Sequence, residues 1–267
     1  MSSAADLKKI VQDKYAEIVT NDTSCCGPSS CGCGTEEVDY SAFSLDYTKM
    51  DGYVADADLQ LGCGIPTEFA EIKAGETVVD LGSGAGNDVF VARQLAGESG
   101  KVIGIDMTPE MIEKANANKA KLGFENIDFK LGDIENLPLE NDMSDVVVSN
   151  CVLNLVPDKE KAFNEINRVL KPGAHFCISD IVLEGEIPAG LKKSAEMYAG
   201  CVSGALQREE YLQIVKDAGF KDIEVKKSRE IVLPDELLKT YLDDLQMEKY
   251  NKSGLGIYSI TVVARIS

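Results

Sequence analysis

The sequence predicts an α/β fold, a mostly parallel seven-stranded sheet with helices on both faces. Three observations predict it. Apolar runs of strand length alternate with amphipathic helical stretches from "ETVVDLGSGAGND" onward, a glycine-rich turn follows the first of these runs, and no internal repeat interrupts the pattern. Alternation of this kind builds βαβ units, in which a crossover helix brings the chain back to lay the next strand parallel to the last.

The elements follow in order. Residues 4–20 carry Leu7, Ile10, Val11, Ile18 and Val19 at roughly helical spacing, which predicts an amphipathic helix. The tract "DTSCCGPSSCGCGT" is irregular, being made of small residues, Gly, Pro and four cysteines. Residues 40–75 hold short helices and turns at most. Strands are predicted at 77–81, 101–106, 126–131, 143–149, 174–181, 221–227 and 257–265. Helices are predicted near 86–97, 109–122, 158–170, 189–200, 207–218 and 234–250. The last run, "GIYSITVVAR", follows the last of these helices and is expected as an antiparallel edge strand. The chain divides into an N-terminal extension (1–74), a core (75–182) and a C-terminal segment (183–267) that completes the sheet and closes over the site.

Composition limits the function. The 267 residues suffice for one large domain with a buried core. A net charge of −18 argues against nucleic acid and anionic membranes as general partners. No stretch reaches the ~20 apolar residues of a membrane span, and "MSSAADLKKI" lacks the apolar core of a signal peptide. The expected compartment is the cytoplasm, where the eight cysteines are free thiols rather than a disulfide framework.

The glycine turn is the first sign of a ligand. In "VVDLGSGAGND", Gly82, Gly84 and Gly86 follow a strand and open a helix, where backbone without Cβ atoms can turn sharply and approach a bound molecule. A tight βα turn explains such a loop equally well, so spacing has to decide. Asp106 ends the next strand, where an acid can accept both hydroxyls of a ribose, and Met107 follows it. Asp133, Ile134 and Glu135 close the third strand and face the same crevice, offering an acid and an apolar surface to a nucleobase. The loop has no lysine for a phosphate-binding P-loop, and its GxGxG puts Asn87 where a dinucleotide fingerprint needs glycine. This pattern resembles the Rossmann-like class I S-adenosylmethionine-dependent methyltransferases over residues ~75–182, with "DLGSGAG", "GIDM", "GDIENLP" and "RVLKPGAHFCISD" in order. The resemblance implies S-adenosylmethionine as cofactor, lined by Asp80, Gly82, Gly84, Asp106, Met107, Ile134, Glu135 and Asn150.

The cysteines are the second sign. Cys151 lies at the open end of the fourth strand in "SNCVLNLVPD", Cys63 between glycines in "LGCGIPT", and Cys201 beside small residues in "AGCVSGAL". In an open α/β sheet ligands bind outside the carboxyl ends of the strands, and segments before the first strand and after the fifth can fold over that end. Each cysteine alone reads as a small buried hydrophobe; three in loops near one crevice shift the balance toward ligands. Cys177 and His175, within a strand, read as packing. With these segments added, the chain resembles the arsenite methyltransferases over about residues 60–220, most specifically at "SNCVLNLVPDK". That resemblance implies a trivalent arsenic site at Cys63, Cys151 and Cys201, arsenite and methylated arsenicals as substrates, and a thiol reductant such as thioredoxin or glutathione. Soft, pyramidal As(III) prefers sulfur, and its lone pair is left to attack a sulfonium methyl.

Cys25, Cys26, Cys31 and Cys33 lack the paired Cys-x-x-Cys knuckles of structural zinc. They read as metalloid scavengers or, by the resemblance, as redox or delivery thiols. Two departures stand out: Leu61 occupies a position where some family members have Tyr, and the C-terminal region is shorter than in longer members. Two other readings fit parts of the sequence: methylation of a quinone-like or other organic substrate, and a metalloid-binding thiol protein without turnover.

Overall fold

The computed structural model describes residues 4–21, 44–186, 202, 204–233 and 254–266, with scattered positions between 235 and 250. A seven-stranded sheet organises them: β1 (Thr77–Leu81), β2 (Lys101–Asp106), β3 (Ile127–Leu131), β4 (Ser144–Asn150), β5 (Leu170–Glu184), β6 (Lys221–Glu230) and β7 (Gly256–Arg265), in the order β3-β2-β1-β4-β5-β7-β6. The first five are parallel, and β7 runs antiparallel to both β5 and β6. The helices are α1 (Ala4–Asn21), α2 (Asn87–Ala96), α3 (Pro109–Leu122), α4 (Lys159–Val169) and α5 (Arg208–Asp217).

Local chemistry sets the helix ends. Asp158 caps α4 by accepting the Lys161 N–H at 2.9 Å, and Ala162, Phe163, Ile166 and Val169 then bury one face of that helix. Pro109 opens α3 with its φ already helical, and Gly123, left-handed at φ 68°, ends it. Both helices lie within a residue of the predicted bounds. The predicted helix 189–200 lies outside the described residues, as does much of 234–250.

Period-two alternation sorts the strands between two cores. Val79, Val147 and Phe176 join Phe163 of α4 and Tyr211 of α5 on one face, while Val78, Val146 and Cys177 join Val89 and Phe90 of α2 on the other. A third cluster forms beyond the carboxyl ends of the parallel strands, where Cys63, Cys151, Ile181, Leu183 and Val202 meet Val11 of α1.

One expectation needs correction. β7 is antiparallel but sits inside the sheet, and β6 forms the edge. The residues explain the exchange. "GIYSITVVAR" is buried on both faces, as an interior strand must be, whereas "KDIEVKKSRE" alternates exposed charge with half-buried positions. A charged, one-sided strand belongs at an edge because it resists pairing with another chain.

Candidate active site

The chain reverses its lateral direction at β1, passing to β2 on one side and β4 on the other, and a cavity opens at the carboxyl ends of these strands. It is lined by Asp80, Gly82 and Gly84 at the end of β1, Asp106 and Met107 at the end of β2, Gly132 to Ile134 after β3, and Asn150 and Cys151 at the end of β4. Lys8, Val11 and Tyr15 of α1 and the segment around Tyr47 and Leu59–Gly62 form the opposing wall.

The glycine loop is held from both sides. The N–H groups of Gly82 and Ser83 both donate to the Ile105 carbonyl, at 2.7 and 2.9 Å. Gly84 donates to Asp106 Oδ2 at 2.9 Å, while Thr108 N–H donates to Oδ1 at 2.8 Å. Gly82 and Gly84 both have positive φ, at 68° and 51°. A Cβ at Gly82 would lie 2.4 Å from Val152, whereas one at Gly84 would meet nothing nearer than Met111 Sδ at 3.8 Å. Gly84 therefore leaves open space over the loop. Two buried polar atoms beside it, Ser83 Oγ and Asn87 Oδ1, have no hydrogen-bond partner. Orphaned acceptors and donors at a cavity wall suit a polar ligand.

Carboxylates crowd this end of the sheet. Burial pushes Asp80 well above the usual carboxylate range, with Asp88 and Asp106 adding to it. Asp88 is raised to about 6 by burial, held down in part by hydrogen bonds from Asn150, Tyr47 and Thr67. Asp106 is raised by burial against the opposing backbone N–H groups of Thr108 and Gly84. Burial and mutual repulsion disfavour their charged forms, and a cationic ligand placed among them would restore ionisation.

Cys151 lines the cavity, and Cys63 lies behind it in the same buried cluster. Cys151 takes a left-handed backbone, φ 63°, uncommon for a residue with a side chain, and donates its N–H to the Ser179 carbonyl at 2.7 Å. Cys63 is fully buried, with Ser259 Oγ donating to its carbonyl at 2.7 Å. Both lie in the apolar cluster that holds Val202 and has Met107 packed against it. Cys201, Cys25, Cys26, Cys31 and Cys33 lie outside the described residues. Among those described, no group of three or more His, Cys, Asp and Glu could hold a metal ion.

The methyltransferase domain family matches residues 72–219. The chain belongs to that family. An arsenite methyltransferase of Halobacterium salinarum is 43% identical over 82% of this chain and 59% of its own length. One from Aquipseudomonas alcaligenes is 36% identical over 68% of this chain and 54% of its own. The chain thus spans little more than half the length of these curated relatives. The crystal structure of an arsenic(III) S-adenosylmethionine methyltransferase from Chlamydomonas reinhardtii superposes with a TM-score of 0.63 at 35% identity, covering 76% of this chain and 66% of that one.

Against this methyltransferase frame the remaining predicted residues can be located. Asp80, Gly82, Gly84, Asp106, Met107, Ile134 and Asn150 line the cavity. Glu135 does not line it: one carboxylate oxygen accepts the Asp158 N–H at 2.9 Å and the other pairs with Lys8 at 2.7 Å. Cys177 faces the opposite core, its thiol donating to the Pro66 carbonyl at 3.0 Å, with a pKa raised by burial. His175 Nε2 lies 2.6 Å from the Ala70 carbonyl. No helix among the described residues is long and apolar enough to cross a membrane.

Sequence reasoning missed the α1 wall and the buried group of Tyr47, Thr67 and Asp88. The available signal for the first was the i, i+3, i+4, i+7 spacing of Lys8, Val11, Gln12 and Tyr15, which mixes charge, aliphatic and amide and so escapes an apolar-periodicity search. The signal for the second was the acid directly after the glycine loop, at the start of a helix that buries it.

Proposed function

We propose that this protein is an arsenite methyltransferase, moving a methyl group from S-adenosylmethionine to trivalent arsenic held by Cys63, Cys151 and Cys201. The observation that carries the reading is the gathering of Cys63 and Cys151, from distant parts of the chain, into one buried cluster with Val202, the residue covalently attached to Cys201. The cluster borders the cavity at the carboxyl end of the sheet, and the relatives' names supply the element.

The cavity fits the proposed cofactor. Asp106 is positioned to accept ribose hydroxyls with its remaining lone pairs, Gly84 leaves room for the aminoacyl end, and Ser83 Oγ and Asn87 Oδ1 are available to polar atoms. Met107 and Ile134 offer apolar surface to a purine. A cation beside Asp80 would favour the charged form that burial disfavours. Bound there, S-adenosylmethionine supplies an electrophilic methyl on a sulfonium.

The chain's own part is to bind and orient arsenic. Each As–OH of arsenite exchanges for As–S with release of water, and the thiol proton leaves in that water. Three sulfurs on one side of a pyramidal centre leave the lone pair on the other. The apolar cluster keeps water from competing for arsenic. Methylation raises the arsenic by two electrons' worth of oxidation, and a thiol pair must return them as it becomes a disulfide. Cys25, Cys26, Cys31 and Cys33 with thioredoxin or glutathione are assigned that role, or delivery. In this scheme residues 75–182 bind the cofactor and supply Cys151, and 1–74 with 183–267 supply the other thiols.

The test is turnover of arsenite with S-adenosylmethionine and a thiol reductant, with products separated by speciation. Methylated arsenicals are expected. Binding of S-adenosylmethionine without any arsenite binding or turnover would reject the reading.

A further inference from the structure

Glycine on both sides of Cys63 has a cause in its neighbours. A Cβ at Gly62 would lie 2.4 Å from Asn150 Nδ2, and one at Gly64 would lie 2.3 Å from Ser179 Oγ. The Cys63 turn is therefore pressed between the end of β4 and Ser179 within β5. Asn150 also bonds it. Its Oδ1 accepts the N–H groups of Cys63 and Gly64, at 3.0 and 3.1 Å. Its Nδ2 donates toward the Gly64 carbonyl at 2.9 Å, Tyr47 Oη at 2.8 Å and Asp88 Oδ2 at 3.1 Å. Backbone donors on one side and a carbonyl with a carboxylate on the other fix which amide atom is oxygen. Tyr47 completes the frame, within 3.0 Å of both the Gly64 carbonyl and Asp88.

An amide offers two lone pairs and two hydrogens, and here all of them face the Cys63 turn and its buried support. The side-chain amide of Asn150 has no capacity left for a cofactor. It is covalently joined to Cys151, whose own N–H is tied to Ser179. One side chain thus links the backbone of the first thiol to the backbone of the second.

We propose that Asn150 is a positioning residue that fixes Cys63 relative to Cys151, with Tyr47 and Asp88 orienting its amide. The proposal rests on the thiol-site reading above and deepens it. Cofactor binding is not its role.

The experiment measures arsenite affinity, S-adenosylmethionine affinity and the sulfur count around bound arsenite by X-ray absorption, on the full chain and its Asn150→Ala variant. Arsenite affinity is expected to fall about tenfold or more. The sulfur count should drop below that of the parent, while cofactor affinity stays within about threefold. Lost cofactor affinity with arsenite binding retained overturns the proposal, as does a parallel loss of both or no change in either. Tyr47→Phe keeps the ring and removes the hydroxyl, so it should give the same split at smaller amplitude if Asn150→Ala fails to fold; an absent split there also overturns it. If the parent protein binds no arsenite, the thiol-site reading has failed separately. A bis-electrophilic thiol cross-linker then decides: reduced Cys63–Cys151 cross-linking in the variant supports positioning, and equal yield rejects it.

Discussion

Lys8 in α1 and Glu135 after β3 meet at 2.7 Å across the mouth of the cavity, and the same ammonium lies 2.5 Å from Asp133. Burial opposes the charge on Lys8, and the hydrogen bonds and charges of Asp133 and Glu135 more than reverse that, raising its pKa. Gln12, one turn on, donates to the Met107 carbonyl at 2.8 Å, and Val11 is buried between them. One face of α1 therefore seals the crevice by three kinds of contact.

Replacing Lys8 by Met keeps the stem and removes the charge. The pair is only partly buried, so the expected loss is about 1 kcal/mol. It should appear locally, as faster amide exchange in residues 4–21 with the sheet unchanged. Added salt should mimic part of the effect in the parent protein. Equal exchange in parent and variant would show that apolar packing alone holds α1.

Asp106 joins two tasks, since its carboxylate already holds the N–H groups of Gly84 and Thr108. Asp106→Ala should weaken S-adenosylmethionine binding by about tenfold or more, a charged hydrogen bond contributing about 1.5–3 kcal/mol. Calorimetric titration of a folded variant measures it. Undiminished affinity would leave the carboxylate a purely structural clamp on the loop.

Asp180 allows a pH prediction away from the cavity. It is fully buried on β5, and burial raises it to about 7, against the opposing charge of Lys159 and hydrogen bonds from Ile181 N–H and Tyr211. Its unfolded value is near 3.8. Between these values the folded chain holds one more proton than the unfolded chain, so this group's contribution to stability falls as pH rises and levels off above about pH 7. Asp180→Asn removes that slope. From pH 5 to pH 8 the variant should gain on the parent by on the order of 1 kcal/mol or more. Urea unfolding across the range measures it, and parallel curves would mean that Asp180 does not titrate in this window.

The parts of the fold that the sequence made legible are those with strong periodicity or punctuation. β1 to β4 and α2 to α4 have apolar runs closed by Gly, Pro or a capping Asp, and their bounds follow almost directly. The position of β7 was not legible from its own residues, because an interior antiparallel strand and a buried edge share one pattern; the alternating charges of β6 carry the distinction. In the site, Asp106 and the glycine loop could be read from spacing. The bonds from Asn150 to the Cys63 turn could not, because Cys63 and Gly64 are far away in sequence and hydrogen bonding to backbone leaves no residue-type signature. Glu135 adds a different case. An acid after a strand suggests a ligand, yet a cation from α1 takes it up first.

The thiols give the sharpest test. A free cysteine has a pKa of about 8.5, so at neutral pH a minority is thiolate, yet exchange of As–OH for As–S releases water and does not wait for a preformed thiolate. Serine keeps the shape of cysteine but offers a hard oxygen, a poor partner for a soft centre. Cys63→Ser, Cys151→Ser and Cys201→Ser should each lose most of the arsenite affinity. X-ray absorption should report three sulfur neighbours in the parent and two in each variant. Monomethylated trivalent arsenic has one valence already filled by carbon and needs only two thiols. At least one of the three variants should therefore bind methylarsenite normally while failing with arsenite. Cys177→Ser is the control, since its thiol faces the opposite core and bonds the Pro66 carbonyl. It should lower stability and leave both affinities unchanged. Three sulfur neighbours persisting in all three active-site variants would mean that other thiols, such as those at 25–33, hold the metalloid.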